Sequence, residues 1–442
     1  MNDRAAPAGS TYVLAVLLAA NALNFYDRQV LGVVAEPVRK EFGLSDAALG
    51  ALSTAFTLLY AVVGVPLGRL ADRVSRARLL AAGVFVWSLL TAACGLARSF
   101  WQLFALRLGV GVGEATCAPA ATSLIGDLVP AARRGRFLAF YMMGLPIGTA
   151  LSYLVSGAVG HAWGWRAAFY VAGIPGLLCA AAVLFIDEPA RGGAETSPGA
   201  AAVTAGSPYR RILSMPTMWW IIASGALQNF VMYAVAAFFV PYLMRFHRMD
   251  LRGAADLATA AFGLAGMLGL VLGGVAADEA RRWPRGRLLL ASGSAAISAP
   301  LLWLALGQSS GRTTAFGELA GLAFVGLYVY YAATYAAIQD VVSPSLRGTA
   351  MALYFLAMYV LGASFGPLLT GMASDHFTAA AAREAGAALT GSLEPYRGAG
   401  LRRAMQLLPG LMVALAGVLW AGSRTVARDM GQPAVTRASA RS

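Results

Sequence analysis

Asp27, Arg28, Arg107 and Glu114 are the ionisable side chains set deepest inside the long apolar runs of this 442-residue chain. A charged group at bilayer depth costs about 2.5–3.5 kcal/mol even on insertion scales, so each is expected to face a protein interior and to do work there. The chemistry open to such a set is proton exchange and anion binding. Desolvation favours a neutral acid and a neighbouring guanidinium favours a charged one. Protonating Asp27 or Glu114 would therefore release an arginine to hold an anion. On this reading Asp27 and Glu114 couple transport to protons, while Arg28 and Arg107 bind substrate together with Asn24. The bland alternative is a permanent strut, two acids and two bases of zero net charge, that only ties helices together. The residues alone leave both open.

Arg107 and Glu114 lie seven apart, two turns along one helix face and roughly 10 Å along its axis. They cannot bond each other, but they can bracket one cavity. Gly109, Gly111 and Gly113 thin the helix between them, so another helix or a ligand can approach closely. Asp27 and Arg28 are adjacent and diverge by about 100°. Tyr60, Tyr141, Asn229, Tyr233, Tyr331, Tyr335 and Tyr354 are candidates to line the same cavity. A tyrosine offers an apolar ring to a lipid tail and a hydroxyl to a polar head. Packing or interface anchoring is the plainer reading of each aromatic.

The elements that position these groups follow from composition. The chain is 58% hydrophobic and 12% charged, with mean hydropathy +0.64. Soluble domains carry roughly a quarter charged residues. The solvent must be lipid. Twelve runs are long enough for a span of about 20 residues: 12–34, 47–69, 78–98, 101–127, 135–160, 164–187, 214–243, 253–277, 286–308, 314–340, 346–372 and 399–423. Backbone groups in hydrocarbon must be paired internally, and no barrel alternation is present, so these are helices. The first run is one of many and reads as a retained span, not a cleaved signal.

Of 34 Lys and Arg residues, 20 fall in loops and tails on the side of the termini and 12 on the other. The positive-inside rule then puts both termini in the cytoplasm. The net charge of +13 is thereby a matter of topology, and nucleic-acid binding is not expected. Glu188–Ser207, rich in Gly, Ala, Ser and Pro, reads as a flexible linker. It divides 1–187 and 214–442, two six-helix bundles joined by 188–213. Cys94, Cys117 and Cys179 all lie in apolar runs without metal or disulfide spacing. Walker A, His-Glu-x-x-His and Gly-x-Ser-x-Gly sequences are missing, which disfavours an ATPase or a hydrolase. Intact loop motifs in both halves disfavour a transport-dead receptor. No cofactor is expected beyond a proton as coupling ion, and the chain is expected to be monomeric. Low lysine with abundant Ala, Gly and Arg suggests a bacterial cytoplasmic membrane.

The halves repeat each other. Asp127-Leu-Val-Pro130 with Arg134-Gly135 recurs as Asp340-Val-Val-Ser-Pro344 with Arg347-Gly348. Gly68-Arg-Leu-Ala-Asp72-Arg73 is echoed by Gly274-Val-Ala-Ala-Asp278. The stretch from Gly68 to Leu80 resembles the loop 2–3 signature of the major facilitator superfamily, with Ser75 where that family commonly has Gly. Asn24-Phe-Tyr-Asp-Arg28, Arg107-Leu-Gly-Val-Gly-Val-Gly-Glu-Ala115 and Phe140-Tyr with Pro146-Ile-Gly148 resemble the spinster branch, which includes lysophospholipid and sphingosine-phosphate transporters. This closer likeness covers the first half only. Organic-anion and sugar-acid symporters have a similar first helix.

The resemblance implies an all-α facilitator fold with a central site and alternating access. It implies an amphiphilic lipid substrate; a proton-coupled symporter of a small organic anion is the alternative. It also assigns gating to Gly68, Asp72, Arg73 and Arg76, whose loop stabilises the outward-open state in the superfamily. Asp127 with Arg134, Asp340 with Arg347, and Asp278 are expected to do the same in their loops. Gly64/Gly68, Gly144/Gly148 and Gly362/Gly366 read as small-residue helix contacts.

Overall fold

The computed structural model describes residues 8–129, 131–191, 207–343, 346–388 and 391–430; among them there are helices and turns and no strand. The spanning helices are α1 (Ala8–Val33), α2 (Asp46–Ala71), α3 (Arg76–Cys94), α4 (Phe100–Leu128), α5 (131–163), α6 (Trp165–Leu184), α7 (Pro216–Arg245), α8 (Leu251–Ala280), α9 (Gly286–Gly307), α10 (Thr313–Val341), α11 (Arg347–Glu384) and α12 (Leu408–Met430). Polar caps fix where several begin. Ser45, Ser75, Ser99 and Asp250 each accept a first-turn backbone N–H, from Ala48, Arg78, Gln102 and Gly253. Each cap satisfies a donor that lipid cannot.

Two expected boundaries move. The last span was expected at 399–423 but lies at Leu408–Met430, because Glu394–Met405 is a separate helix on the face opposite the termini. Its arginines explain the shift: Arg402 donates to the carbonyls of Leu306 and Gly307, and Arg403 pairs with Glu384 at 2.7 Å. Such charges belong at the membrane boundary. Helix α11 was expected to end at 372 and runs on to Glu384, carrying Ser374 and Asp375 into the contact between halves.

Two apolar cores belong to one half each, one around Leu80, Val110 and Leu124, the other around Leu288, Ala333 and Leu419. A third is shared, joining Val30, Leu49 and Phe169 to Phe238, Phe262 and Leu327. The shared core occupies the face opposite the termini. There α2 packs on α11, α5 on α8 and α1 on α7. Toward the termini the inner segments, 131–142 of α5 and 347–357 of α11, pack on helices of their own half. A Cβ built on Gly64 meets nothing within 4 Å, so the inner part of α2 borders open space. The molecule is closed on one face and open on the other.

Glycine contacts follow the same division. Gly144 and Gly148 lie on the backbone of Ala22 in α1, and Gly362 and Gly366 on the backbone of Ala226 and Phe230 in α7. Gly64 and Gly68, expected to act alike, make no such contact on the open face. Three of the six helices that meet on the closed face carry a π-turn: Ser152–Ser156 in α5, Thr259–Leu264 in α8 and Met358–Ala363 in α11.

The expected linker is docked at its start. Glu188 accepts from the Ser75 hydroxyl and from Arg76, the Pro189 carbonyl accepts from Arg76, and Arg191 donates to the carbonyls of Ala71 and Val74. Residues 192–206 lie outside the described residues, and Pro208–Leu213 is a short helix before α7.

Candidate functional site

Helices α1 and α4 bring the four deep charges together. Arg28 pairs with Glu114 through Nε at 3.0 Å, their side chains 5% and 0% exposed. Arg107 donates to the backbone carbonyl of Asp27 at 3.3 Å. The Asp27 carboxylate accepts from Thr91 of α3 at 3.1 Å and has no partner for Oδ1 among the described residues. Glu114 Oε1, Arg107 Nε and Asn24 Nδ2 are likewise buried without one. An unsatisfied buried polar atom costs about 1–3 kcal/mol. Four such atoms surround this one charge cluster. None of the four charges faces lipid; each is enclosed by protein.

Aromatic rings from both halves surround the cluster. The Arg28 guanidinium stands 4.1 Å from the Tyr60 ring centroid and 5.1 Å from that of Phe25. Arg107 stands 4.6 Å from the Phe56 ring. These faces stabilise a desolvated cation by up to about 2 kcal/mol. Across the divide Tyr359 of α11 meets Tyr60 edge to face at 5.6 Å, and Tyr233 of α7 meets Tyr359 at 6.3 Å. Tyr331 donates to Asn229 at 2.9 Å and touches Tyr335 at 5.9 Å. One wall is therefore charged and the facing wall is phenolic.

Two proposed lining residues, Tyr141 and Tyr354, are fully buried within their own halves, Tyr354 with its ring 5.8 Å from that of Tyr335. Tyr141 is buried in the first half's own core, its hydroxyl 3.8 Å from Cys117 Sγ. Tyr354 is buried in the second half's core, bonded to Tyr330 at 2.9 Å. Sequence reading did not single out Phe56, Thr91 or Tyr359. All three reach the cluster from other helices, α2, α3 and α11, so no spacing along α1 or α4 could reveal them.

The gating candidates divide into clasped and free. Arg76, capping the inner end of α3, is fully buried and pairs with Asp127 of α4 and with Glu188 at 2.9 Å. Burial opposes charge on Glu188, but the Ser75 hydroxyl and the Arg76 N–H and guanidinium outweigh it and draw the carboxyl down to about 2. In the second half Asp340 pairs with Arg287 of α9 at 2.5 Å, and Asp278 stands 3.9 Å from the same arginine. Arg347, which shares the repeated loop sequence with Asp340, donates through Nε to the Gln339 carbonyl. The repeat held the answer, since Arg287 opens α9 as Arg76 opens α3. Asp72 and Arg73 are exposed at the parted face, and their side chains make no hydrogen bond or ion pair among the described residues; Gly68 is half-buried. The Arg134 side chain lies outside the described residues.

On the closed face a second charge cluster joins the halves. Arg245 of α7 bonds Glu36 at 2.6 Å and Asp46 of α2 at 2.8 Å. Arg39 bonds Glu36 and, at 2.7 Å, Glu394. The Asp375 carboxylate accepts the N–H groups of Asp46 and Ala47, capping α2 from the other half.

The family model described as Major Facilitator Superfamily matches residues 17–367. An MFS-type efflux pump of Mycolicibacterium smegmatis is 32% identical over 85% of this chain and 87% of its own. Protein spinster of Drosophila melanogaster is 30% identical over 82% of this chain and 62% of its own length, so the chain spans under two thirds of that relative. A crystal structure of a bacterial homologue of the human lysosomal transporter spinster, inward-facing and unoccupied, superposes with TM-score 0.86 at 30% identity, covering 97% of this chain and all of that one (100%).

Proposed function

Because this chain belongs to the Major Facilitator Superfamily and is a multi-pass membrane transporter, not an enzyme, we propose that it carries an amphiphilic lipid with an anionic head across the cytoplasmic membrane. The substrate class is a lysophospholipid or a sphingoid phosphate, moved by alternating access and coupled to protons, with both termini in the cytoplasm. One observation carries the reading: Arg28, held by Glu114 and the Tyr60 ring, sits where a charged wall meets a phenolic one. An anionic head can take the guanidinium when Glu114 gains a proton. An acyl tail can lie along Tyr233, Tyr331 and Tyr335, which are half-buried on the facing wall. Asp27, with one carboxylate oxygen unpartnered, is the second proton-accepting group. The likeness to spinster proteins supports the lipid.

The test is proton flux in proteoliposomes loaded with a pH-sensitive dye, presented in turn with lysolipids, sphingoid phosphates and small organic acids. Lipid should drive flux, and Asp27→Asn and Glu114→Gln should each abolish it. Flux driven by organic acids alone would establish the symporter alternative. Undiminished coupling in both variants would return the cluster to a strut.

A further inference from the structure

We propose that Tyr359 is a positioning residue that ties the charge on Arg28 to the closed seam between α2 and α11. The inference rests on the reading of Arg28 as the group that holds substrate. Tyr359 is the second residue of the π-turn Met358–Ala363. Its ring meets Tyr60 edge to face at 5.6 Å, and the Arg28 guanidinium stands 4.1 Å from the centroid of that same Tyr60 ring. Its backbone carbonyl accepts both the N–H of Ser364, at 3.0 Å, and the Ser364 hydroxyl, at 2.8 Å. The Ser364 carbonyl in turn accepts the hydroxyl of Thr54 across the seam. One π-turn thus grips α2 at two points, Tyr60 and Thr54, six residues or roughly 9 Å apart along its axis.

These are the innermost grips of the seam. Farther out Gly50 packs on Pro367 and Gly371 on Asp46; farther in, Gly64 meets nothing. When protonation of Glu114 frees the guanidinium and an anion draws it away, the Tyr60 ring loses the cation that fixes its plane. The edge contact with Tyr359 then loosens first, at the end of the seam where separation toward an outward-open state has to begin. A π-turn suits this place, because its wider ladder can shift to α-helical pairing without breaking the helix. Tyr359 has no role in holding substrate on this account; it reports on what Arg28 is doing.

A double-mutant cycle on the full-length, substrate-free protein in lipid nanodiscs tests the link. Spin labels go on Lys40→Cys and Ala385→Cys, exposed positions of opposite halves on the closed face. Cys94, Cys117 and Cys179 are buried and stay unlabelled. Arg28→Gln and Tyr359→Leu should each raise the long-distance fraction several-fold, the pair together should raise it no further than the larger single change, and Tyr359→Phe should match the unaltered protein. Effects that multiply in the double variant overturn the proposal, because a merely structural ring would act independently of Arg28. Tyr359→Phe behaving as Tyr359→Leu, or neither single change moving the distribution, overturns it as well. The cycle uses no substrate, so its failure leaves the transport reading untouched, and loss of lipid-driven flux leaves the cycle interpretable.

Discussion

Glu114 gives one oxygen to Arg28 and keeps the other unpartnered, in a place with no measurable exposure. Removing one member of a buried pair leaves the other as an uncompensated charge, at a cost of about 3–5 kcal/mol, whereas removing both is often nearly neutral. Glu114→Gln should therefore lower the thermal midpoint of the purified, substrate-free protein by several degrees. Adding Arg28→Met should restore most of that loss. A double variant no more stable than Glu114→Gln would mean that the pair is not what keeps Arg28 buried. The four charges were legible in the sequence because hydrocarbon makes an ionisable side chain conspicuous, and Gly-Val-Gly-Val-Gly told that α4 is thin between two of them. Which acid meets which base was not, since the angle between α1 and α4 is set by packing around Ala22 and Phe56, not by either helix alone. Tyr359 was hidden for a related reason: the chain has 16 tyrosines, and only contact with Tyr60, about 300 residues away, separates this one from the rest.

Helix α3 shows how an element is held by its end. Its cap, Ser75, accepts from Arg78 and donates to Glu188, while Arg76 reaches back to Asp127, Glu188 and the Pro189 carbonyl. The first residue of the linker and the start of α3 are thereby one unit, and Arg287 with Asp340 rebuilds part of it in the second half. Glu188 titrates near 2 in the fold, against an ordinary value of 4.5. A carboxyl held below its unfolded value adds stability that is complete above about 4.5 and is lost as the pH falls toward about 2. Solvent screening at this partly exposed site holds the contribution at neutral pH to about 1 kcal/mol. Thermal midpoints of the unaltered protein and Glu188→Gln should differ most at pH 6–7 and converge as the pH falls toward about 2, so that a gap independent of pH would refute the ion clasp. The duplicated loop sequence announced Asp127 and Asp340 as equivalent. It could not announce that Arg287 is the partner, because the guanidinium arrives from the helix before, across a turn whose path the motif does not encode. Glu188 was read as linker for its Gly- and Ala-rich neighbours; its own carboxylate, placed beside a helix N-terminus and a buried arginine, is what docks it.

At the scale of the molecule, one face is shut by bonds that run from half to half. Asp375 of α11 caps the first N–H groups of α2, and Asp46, whose own N–H it takes, gives its carboxylate to Arg245 of α7 and Ser374 of α11. Helix α2 is thus an element of the first half whose N-terminus is completed by the second. That makes the cap a measure of closure: outward opening must strip two N–H groups of their acceptor at the positive end of a helix. Losing a cap costs about 0.5–2 kcal/mol, and 1–2 kcal/mol is a factor of about 5–30 in a population. Leu49, one turn into α2 and 4% exposed in the shared core, reports the open state if replaced by cysteine, since the three native cysteines are buried. In purified protein, Asp375→Ala should raise the alkylation rate of Leu49→Cys by about 5–30-fold. Asp72→Ala, at the parted inner face where that side chain is free, should not raise it; in the outward-open state Asp72 gains whatever partners its loop has, so the change should lower the rate if anything. Equal rates for the Asp375→Ala and unaltered backgrounds would show that the apolar contact of α2 with α11 shuts this face without the cap. The loops that carry the family signature lie on the inner face, and the charges that hold the outer face came from Glu36, Asp46, Arg245 and Asp375, up to about 340 positions apart and without a shared motif. Only folding collects them, and the alkylation experiment asks how much of the inward-open state they account for.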